Sequence, residues 1–352
     1  MKILVTGGSG FIGSAFVHFL MQKTKHQVLN LDKLTSTANP LSLQAFQYTQ
    51  RYRLIKTDLS DQDPIQQALS QFQPDRVIHL AAHQPSRPTS RQSYEDQQRI
   101  TLNLLDSCHQ YWQELPLQQQ QDFRCLQMSY DQVFGNNFLT TQALNENSEI
   151  APESLYSASK AAMDELARTY HRQTGFPCLL ANASNIYGPR QLLDAPLPQL
   201  LIRCLTNQPI QLKPGSEHKK SWLFVEDLAA ALFLLATQGR PGESYHLSSQ
   251  CHHSTREAVT LLCRLLDEIQ PAETSYLNQI EFDEATLDAQ EAIYLFDPQK
   301  FAQEFQWLPD TSLETGMRTT LNWYLDHPQW VEYLLSKEHF SSRKKKKEIK
   351  GV

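Results

Sequence analysis

KILVTGGSGFIG, residues 2–13, decides how the rest of the chain is read. Ile3, Leu4 and Val5 form a short β-type run that ends in a glycine-rich turn. A helical stretch, Phe11 to Met21, begins directly after it. Gly8, Gly10 and Gly13 satisfy GxGxxG, and Gly7, Gly10 and Gly13 satisfy the related GxxGxxG. Glycine at these points permits a tight turn, close backbone approach to a pyrophosphate, and close packing of helix on strand. The helix start then offers unpaired N–H groups, those of Phe11 and Ile12 among them, and the positive end of its dipole. Asp32 ends the second strand-like run nineteen positions after Gly13. A carboxylate there accepts both adenosine-ribose hydroxyls and repels a 2′-phosphate, which selects NAD over NADP. Lys33 beside it works the other way.

The same alternation continues. KILV, QVLNL, RLIK, RVIHL and FRCLQMS have strand length, and Phe11–Met21, Pro64–Phe72 and Tyr94–Trp112 have helical spacing. Strand–helix alternation implies an α/β fold of Rossmann type, a doubly wound parallel sheet covered on both faces. Pro64 behind Ser60-Asp61-Gln62-Asp63 marks a helix start, and Leu117–Gln121 reads as a polar connector. Beyond residue 185 prolines cluster and short elements mix. The chain therefore divides into residues 1–185, a dinucleotide-binding domain, residues 186–338, a smaller α/β C-terminal substrate domain, and a basic tail over 339–352.

Bulk properties narrow the partners. The 352 residues are 40% hydrophobic and carry a net charge of −6, and the one basic run, RKKKKEIK, lies in the tail. No nucleic-acid or membrane partner is expected. The six cysteines form no CxxC pair, which fits reduced thiols in a cytoplasmic protein. Cys251-His252-His253 reads as a surface loop and not as metal ligands.

YSASK sets Tyr156 and Lys160 four apart on one helix face. An ammonium there, together with a cationic nicotinamide ring, is expected to lower the phenol from its usual ~10. A tyrosinate then takes a proton from a sugar hydroxyl while hydride leaves for NAD. MSYDQVFG, residues 128–135, puts Ser129, Tyr130, Asp131 and Gln132 at the mouth of a strand, a carboxylic acid beside an amide.

Together with LDKLTS, DRVIHLAA, LYSASKAAMDELA, NASNIYGPR, SWLFVEDLAAAL and LNWYLDHPQWV, these segments resemble the extended short-chain dehydrogenases/reductases. More narrowly, they resemble the dTDP-glucose 4,6-dehydratase family. The resemblance implies oxidation at C4 of a nucleotide-linked hexose, elimination of water across C5 and C6, and hydride return to C6. It places Gly7, Gly10, Phe11, Ile12, Gly13, Asp32, Lys33, Thr35, Asp58 and Leu59 along the cofactor, with Leu80, Ala81 and Ala82 in the turn after the fourth strand. Asp58 reads either as a partner of the adenine amino group or as a cap for the next helix. On the substrate side it implies Ser129, His83, Asn182, Asn185 and Lys220, with Ser129 meeting the reacting hydroxyl. His79 is expected to be a satisfied strand residue. Relatives also pair through two long helices, which implies a homodimer.

The chain departs from the family at several points. Thr-Asp-Glu at the strand mouth becomes Tyr130, Asp131 and Gln132, so the residue that removes the C5 proton is an amide. AAESHVDRS becomes AAHQPSRPTS, an arginine becomes Lys220, a lysine becomes Ala195, an asparagine aligns near Cys251, and the arginine-rich segment becomes LDAQEAIY. Lysine in place of arginine gives up bidentate phosphate binding. Three readings stay open: a 4,6-dehydratase, a 4-epimerase or other C4-oxidation enzyme, and an NAD-binding partner protein without turnover.

Overall fold

The computed structural model describes residues 1–35, 37–82, 91–135, 143–183, 185–192, 195–250, 252–282 and 295–333. In chain order the first elements are β1 (Lys2–Thr6), α1 (Phe11–Lys23), β2 (Gln27–Asp32), β3 (Tyr52–Lys56), α2 (Asp63–Phe72), β4 (Arg76–His79), α3 (Arg91–Glu114) and α4 (Leu117–Asp122). Next come β5 (Arg124–Tyr130), α5 (Leu155–Thr174), β6 (Cys178–Ala183), β7 (Ile186–Tyr187), α6 (Pro196–Leu205), β8 (Ile210–Leu212), β9 (Lys219–Ser221) and β10 (Leu223–Phe224). The last are α7 (Val225–Gln238), β11 (Ser244–Leu247), β12 (His252–Ser254), α8 (Thr255–Ile269), β13 (Ile280–Phe282), α9 (Gln299–Phe305) and α10 (Leu313–Asp326).

Two compact units result. One comprises Met1–Ile186, Ser221–Gln250 and Ala292–Asp310; the other comprises Tyr187–Lys220, Cys251–Glu291 and Thr311–Val352. The first break falls beside the expected boundary at 185/186, but a single cut does not describe the chain. Ser221–Gln250 returns to the first unit because β11 needs a partner for its backbone groups and finds it in β6, with Ser244 against Leu180 and Leu247 against Ala183. Helix α7 returns with it and packs on α1.

The first unit is built on a seven-stranded sheet in the order β11-β6-β5-β4-β1-β2-β3. All its pairings are parallel. The order reverses between β1 and β4, the topological switch point at whose carboxyl edge such sheets bind ligands. Successive strand residues face opposite sides, and both sides are covered. Ile3, Val5, Ile78 and Leu126 meet Phe16, Leu20, Leu228 and Leu232 of α1 and α7. Leu4, Val77, Cys125 and Cys178 meet Ile65, Leu104, Cys108 and Ala167 of α2, α3 and α5. Each fully buried leucine contributes roughly 2 kcal/mol, and burial on both faces accounts for strands that read as unbroken apolar runs.

The expected connector at Leu117–Gln121 is a short helix, α4, that begins behind Pro116. Glutamine is a good helix former. Gln120 ties the turn down through its side chain to Leu115 O at 2.9 Å, and its own carbonyl accepts from Trp112 Nε1 at 3.0 Å. In the second unit α8 packs against α6 and α10, and a capping box between Ser254 and Glu257 starts α8. There β9 pairs with β12, and β8 with β13. His252 and His253 therefore lie on a strand where a loop was expected. Among the described residues no group of three His, Cys, Asp or Glu can hold a metal ion, and no helix is long and apolar enough to cross a membrane.

Candidate active site

The glycine loop leaves β1 with Gly7 at φ +70°, and a Cβ there would lie 2.7 Å from the Ala81 backbone. The turn after β1 and the turn after β4 are thus pressed together at the switch point. Leu80 and Ala81 are held there by N–H bonds to Thr6 O and Thr6 Oγ1, both at 3.2 Å. Leu80 and Ala81 are half-buried and Ala82 is exposed. Gly10 N–H donates to Gly7 O at 3.1 Å. A Cβ on Gly13 would sit 2.1 Å from Gly7 O and 2.7 Å from Gly8 Cα, so the first turn of α1 lies directly on the loop. Gly10 caps α1 without a side-chain bond. Helix geometry therefore leaves the Phe11 and Ile12 N–H groups for a ligand.

Asn30, in the middle of β2, braces this loop from below. Its Oδ1 accepts Gly8 N–H at 2.9 Å, and its Nδ2 donates to Ser9 Oγ and Tyr52 Oη at 3.1 Å each. Sequence reasoning passed over it, although one asparagine inside QVLNLD is a polar residue in a buried run. Asp32 is buried and accepts Ser9 N–H on Oδ2 at 2.8 Å and Leu34 N–H on Oδ1 at 2.7 Å. Each oxygen keeps a lone pair for a hydroxyl. Lys33 forms an ion pair with Asp58. Asp58 also accepts Ser60 N–H at 3.0 Å, which fits its reading as a loop residue ahead of α2. Burial raises the Asp58 carboxyl, but the Lys33 and Ser60 bonds outweigh this and hold it below its ordinary value. Thr35 is exposed and shares a hydroxyl bond with Thr37 at 2.9 Å, and Leu59 is buried.

The second cluster gathers where β5 and β6 end beside α5. Ser154 and Ser157 form a capping box that starts α5 and sets Tyr156 in its first turn. Lys160 follows one turn on and Asp164 one turn further, both buried. The Tyr130 and Tyr156 rings meet edge to face, 6.4 Å apart at 70°. Asp131 is buried and Gln132 half-buried in the single turn that continues from β5. Register puts Ser129 beside Asn182. Asn182 is fully buried, and among the described residues neither its amide nitrogen nor its oxygen has a hydrogen-bond partner. Asn185, half-buried at φ +45°, turns the chain after β6. Lys220, half-buried in β9, belongs to the second unit. His83 lies outside the described residues.

A layer of buried polar groups underlies this cluster. Thr6 Oγ1 and His79 Nδ1 are bonded at 2.7 Å, and His79 Nε2 reaches Thr101 of α3 at 3.2 Å, so His79 is a satisfied strand residue as expected. Ser129 Oγ donates to Asp164 Oδ2 at 2.5 Å, and Gln127 Nε2 donates to Asp164 Oδ1 at 3.1 Å. The Ser129 proton is thus committed to Asp164, which leaves its oxygen lone pairs as acceptors.

Burial dominates the protonation of the cluster. It pushes the Tyr156 phenol up to about 12. Excluding a phenolate from water is the cause of that rise, whereas the expected lowering was for a phenol beside both Lys160 and a cationic nicotinamide ring. Burial lowers Lys160 to about 8 against the opposing pull of Asp164. It raises Asp164 to about 6 against Ser129, Arg168, Lys160 and Gln127. It also lowers His79 to about 3, with the Lys160 charge adding to the effect.

A Rossmann-type sheet with a glycine cradle at its switch point and a tyrosine–lysine helix beside it defines the extended short-chain dehydrogenase/reductase class. Residues 4–320 match the family model described as GDP-mannose 4,6 dehydratase, and the chain belongs to that family. The dTDP-glucose 4,6-dehydratase of Salmonella typhimurium is 35% identical over 347 residues, 96% of each chain. The crystal structure of dTDP-glucose 4,6-dehydratase from Bacillus anthracis in complex with NAD is similar with a TM-score of 0.82 at 27% identity, covering 95% of this chain and 99% of that one. That of the Streptomyces venezuelae enzyme, solved with NAD bound, matches with a TM-score of 0.82 at 26% identity, covering 95% and 100%.

Proposed function

We propose that this chain is an NAD-dependent enzyme that oxidises C4 of a nucleotide-linked hexose, on the plan of the dTDP-glucose 4,6-dehydratases. The observation that carries the reading is the cradle itself. Gly7, Gly10 and Gly13 stand where any side chain would fill the space or strike backbone, the α1 N-terminus opens onto it, and Asp32 keeps lone pairs for ribose hydroxyls. These residues fit a dinucleotide diphosphate. Bound NAD supplies the hydride acceptor for C4 oxidation and, in a dehydration, the donor for C6.

The chain's own groups do the rest. Tyr156 takes the C4 hydroxyl proton, helped by the Lys160 ammonium one turn away. Ser129 offers a lone pair to the sugar hydroxyl, and Asn182 offers its buried amide, which has no partner among the described residues. Asp131 protonates the leaving C6 hydroxyl. Lys220 is read as a point charge for phosphate. The reading includes a homodimer through α3 and α5, supported by Leu102, an apolar residue left 40% exposed on α3. It includes a cytoplasmic location, supported by five described cysteines that are all free thiols. The basic tail, residues 339–352, lies outside the described residues.

Gln132 favours a second reading. An amide accepts hydrogen bonds but takes no proton at neutral pH, so it cannot abstract the C5 proton as a carboxylate does. Oxidation at C4 followed by return, as in 4-epimerisation, uses Tyr156 and Lys160 and makes no demand on Gln132. Incubation of the NAD-loaded protein with dTDP-glucose, other nucleotide hexoses and heavy water decides between them. A product lighter by one water, labelled at C5, supports dehydration. An isomer without label at C5 supports epimerisation. No reduction of bound NAD with any of them overturns both and leaves a binding protein.

A further inference from the structure

Asp164 has no part in the reaction scheme above, yet it holds the centre of the buried layer beneath it. It lies two turns after Tyr156 and one after Lys160 on the same stripe of α5. Only 1% of its surface is exposed. Both its oxygens are bonded to β5, one to Ser129 at 2.5 Å and one to Gln127 at 3.1 Å. A carboxylate buried this deeply costs several kcal/mol unless charge and hydrogen bonds compensate it, and a leucine would fill a helix–strand contact more cheaply. The compensation comes from two donors on the strand and two cations on its own helix, Lys160 and Arg168. Arg168 is itself held by Glu165 at 2.6 Å and Ser244 of β11 at 3.1 Å.

We infer that Asp164 is a positioning residue of the reaction centre, which sets the direction of the Ser129 hydroxyl and supplies the negative charge that keeps Lys160 an ammonium in a dry interior. The inference rests on the proposed role of the tyrosine–lysine pair. Around this carboxylate and its lysine, β4 presents His79, kept neutral by burial and bonded to Thr101 of α3. β5 presents Gln127 and Ser129, both bonded to Asp164, with Asn182 of β6 beside Ser129 in register, and α5 itself presents Arg168. With His79 neutral, Asp164 is the charge that acts on Lys160 in the direction opposite to burial. Removing it leaves burial unopposed, and Lys160 sheds its proton at lower pH. The alkaline limit of any step that needs the ammonium moves down with it.

The test is the titration of Lys160 in the protein without cofactor, followed by the ε-carbon chemical shift of isotopically labelled lysine and assigned with Lys160→Gln. Asp164→Asn keeps an acceptor for Ser129 and removes the charge. Its Lys160 midpoint is expected to fall by roughly one to three pH units, whereas Asp164→Glu keeps the midpoint near the wild-type value. Thermal melting shows that each variant is folded; if Asp164→Asn does not fold, Asp164→Ser, shorter and uncharged, carries the same expectation. An unchanged midpoint in a folded uncharged variant overturns the inference. Where the enzyme turns over, the alkaline limb of kcat shifts with the midpoint, while a purely structural defect lowers kcat at every pH alike. Absence of turnover in the wild type sinks the functional reading, and the Lys160 titration alone then decides whether Asp164 holds the lysine charged.

Discussion

Replacing Gly13 with alanine tests the cradle with one methyl group. Alanine suits a helix interior better than glycine by about 1 kcal/mol, so on an ordinary helix the change would stabilise. Here the methyl would arrive 2.1 Å from Gly7 O, 2.7 Å from Gly8 Cα and 2.8 Å from Gly7 C. All three are backbone atoms and cannot rotate away as a side-chain tip would. The Gly7 carbonyl would have to retreat by more than an ångström to reach ordinary contact, but it also accepts Gly10 N–H. Gly7 is itself pressed on Ala81. Overpacking of this kind costs about 1–3 kcal/mol, and the rigid neighbours put Gly13 at the upper end, so a net loss of about 1–2 kcal/mol remains after the helical gain. The displaced loop no longer presents the Phe11 and Ile12 N–H groups together, and NAD affinity is expected to fall at least tenfold, a loss of about 1.4 kcal/mol in binding. Calorimetric titration with NAD measures the affinity, and thermal melting the stability. Gly175→Ala is the control. It caps α5 at φ +73° with nothing within 4 Å of a new Cβ, so it should cost stability by about 1 kcal/mol and leave NAD binding untouched. Wild-type NAD affinity in folded Gly13→Ala would refute the placement of the cofactor.

Asp32→Ala removes the acceptor for the ribose and its repulsion of a 2′-phosphate, so the ratio of NAD to NADP affinity should fall toward one, as read by fluorescence titration with each. Tyr156→Phe should lower reduction of bound NAD by about 10²–10⁴-fold while leaving NAD affinity near that of the wild type, and Gln132→Glu should raise release of water from dTDP-glucose if dehydration is the native direction; single-turnover assays with product mass follow both. His79 has a folded value of about 3 against 6.5 unfolded, so its contribution to stability is complete above pH 6.5 and is lost as pH falls toward 3. Asp164, raised to about 6, acts in the opposite sense, since its neutral form is favoured by the fold. Melting temperature between pH 7 and 5 should therefore fall less steeply in His79→Gln than in the wild type, and an identical slope would refute a buried neutral His79.

Strand and helix order, the glycine cradle, Asp32 and the tyrosine–lysine pair were legible because each rests on short-range spacing: alternation of two, a repeat of three to four, or a turn that only glycine allows. What escaped was decided by distance along the chain. Asn30 gains its meaning from Gly8 and Tyr52, and Asp164 from Gln127 and Ser129 on a strand that precedes it by more than thirty residues. β11 joins the first unit because the edge of β6 needs a partner. The protonation of Tyr156 depended on how much water the fold removes, which no spacing of Tyr156 and Lys160 encodes. Sequence alone determined the sheet class, the glycine turn and the spacing of Tyr156 and Lys160 on one helix, since these follow from local backbone geometry. Only the tertiary structure decided which buried polar groups meet and which charges survive burial, because hydrogen bonding and desolvation act between residues that the chain brings together from far apart.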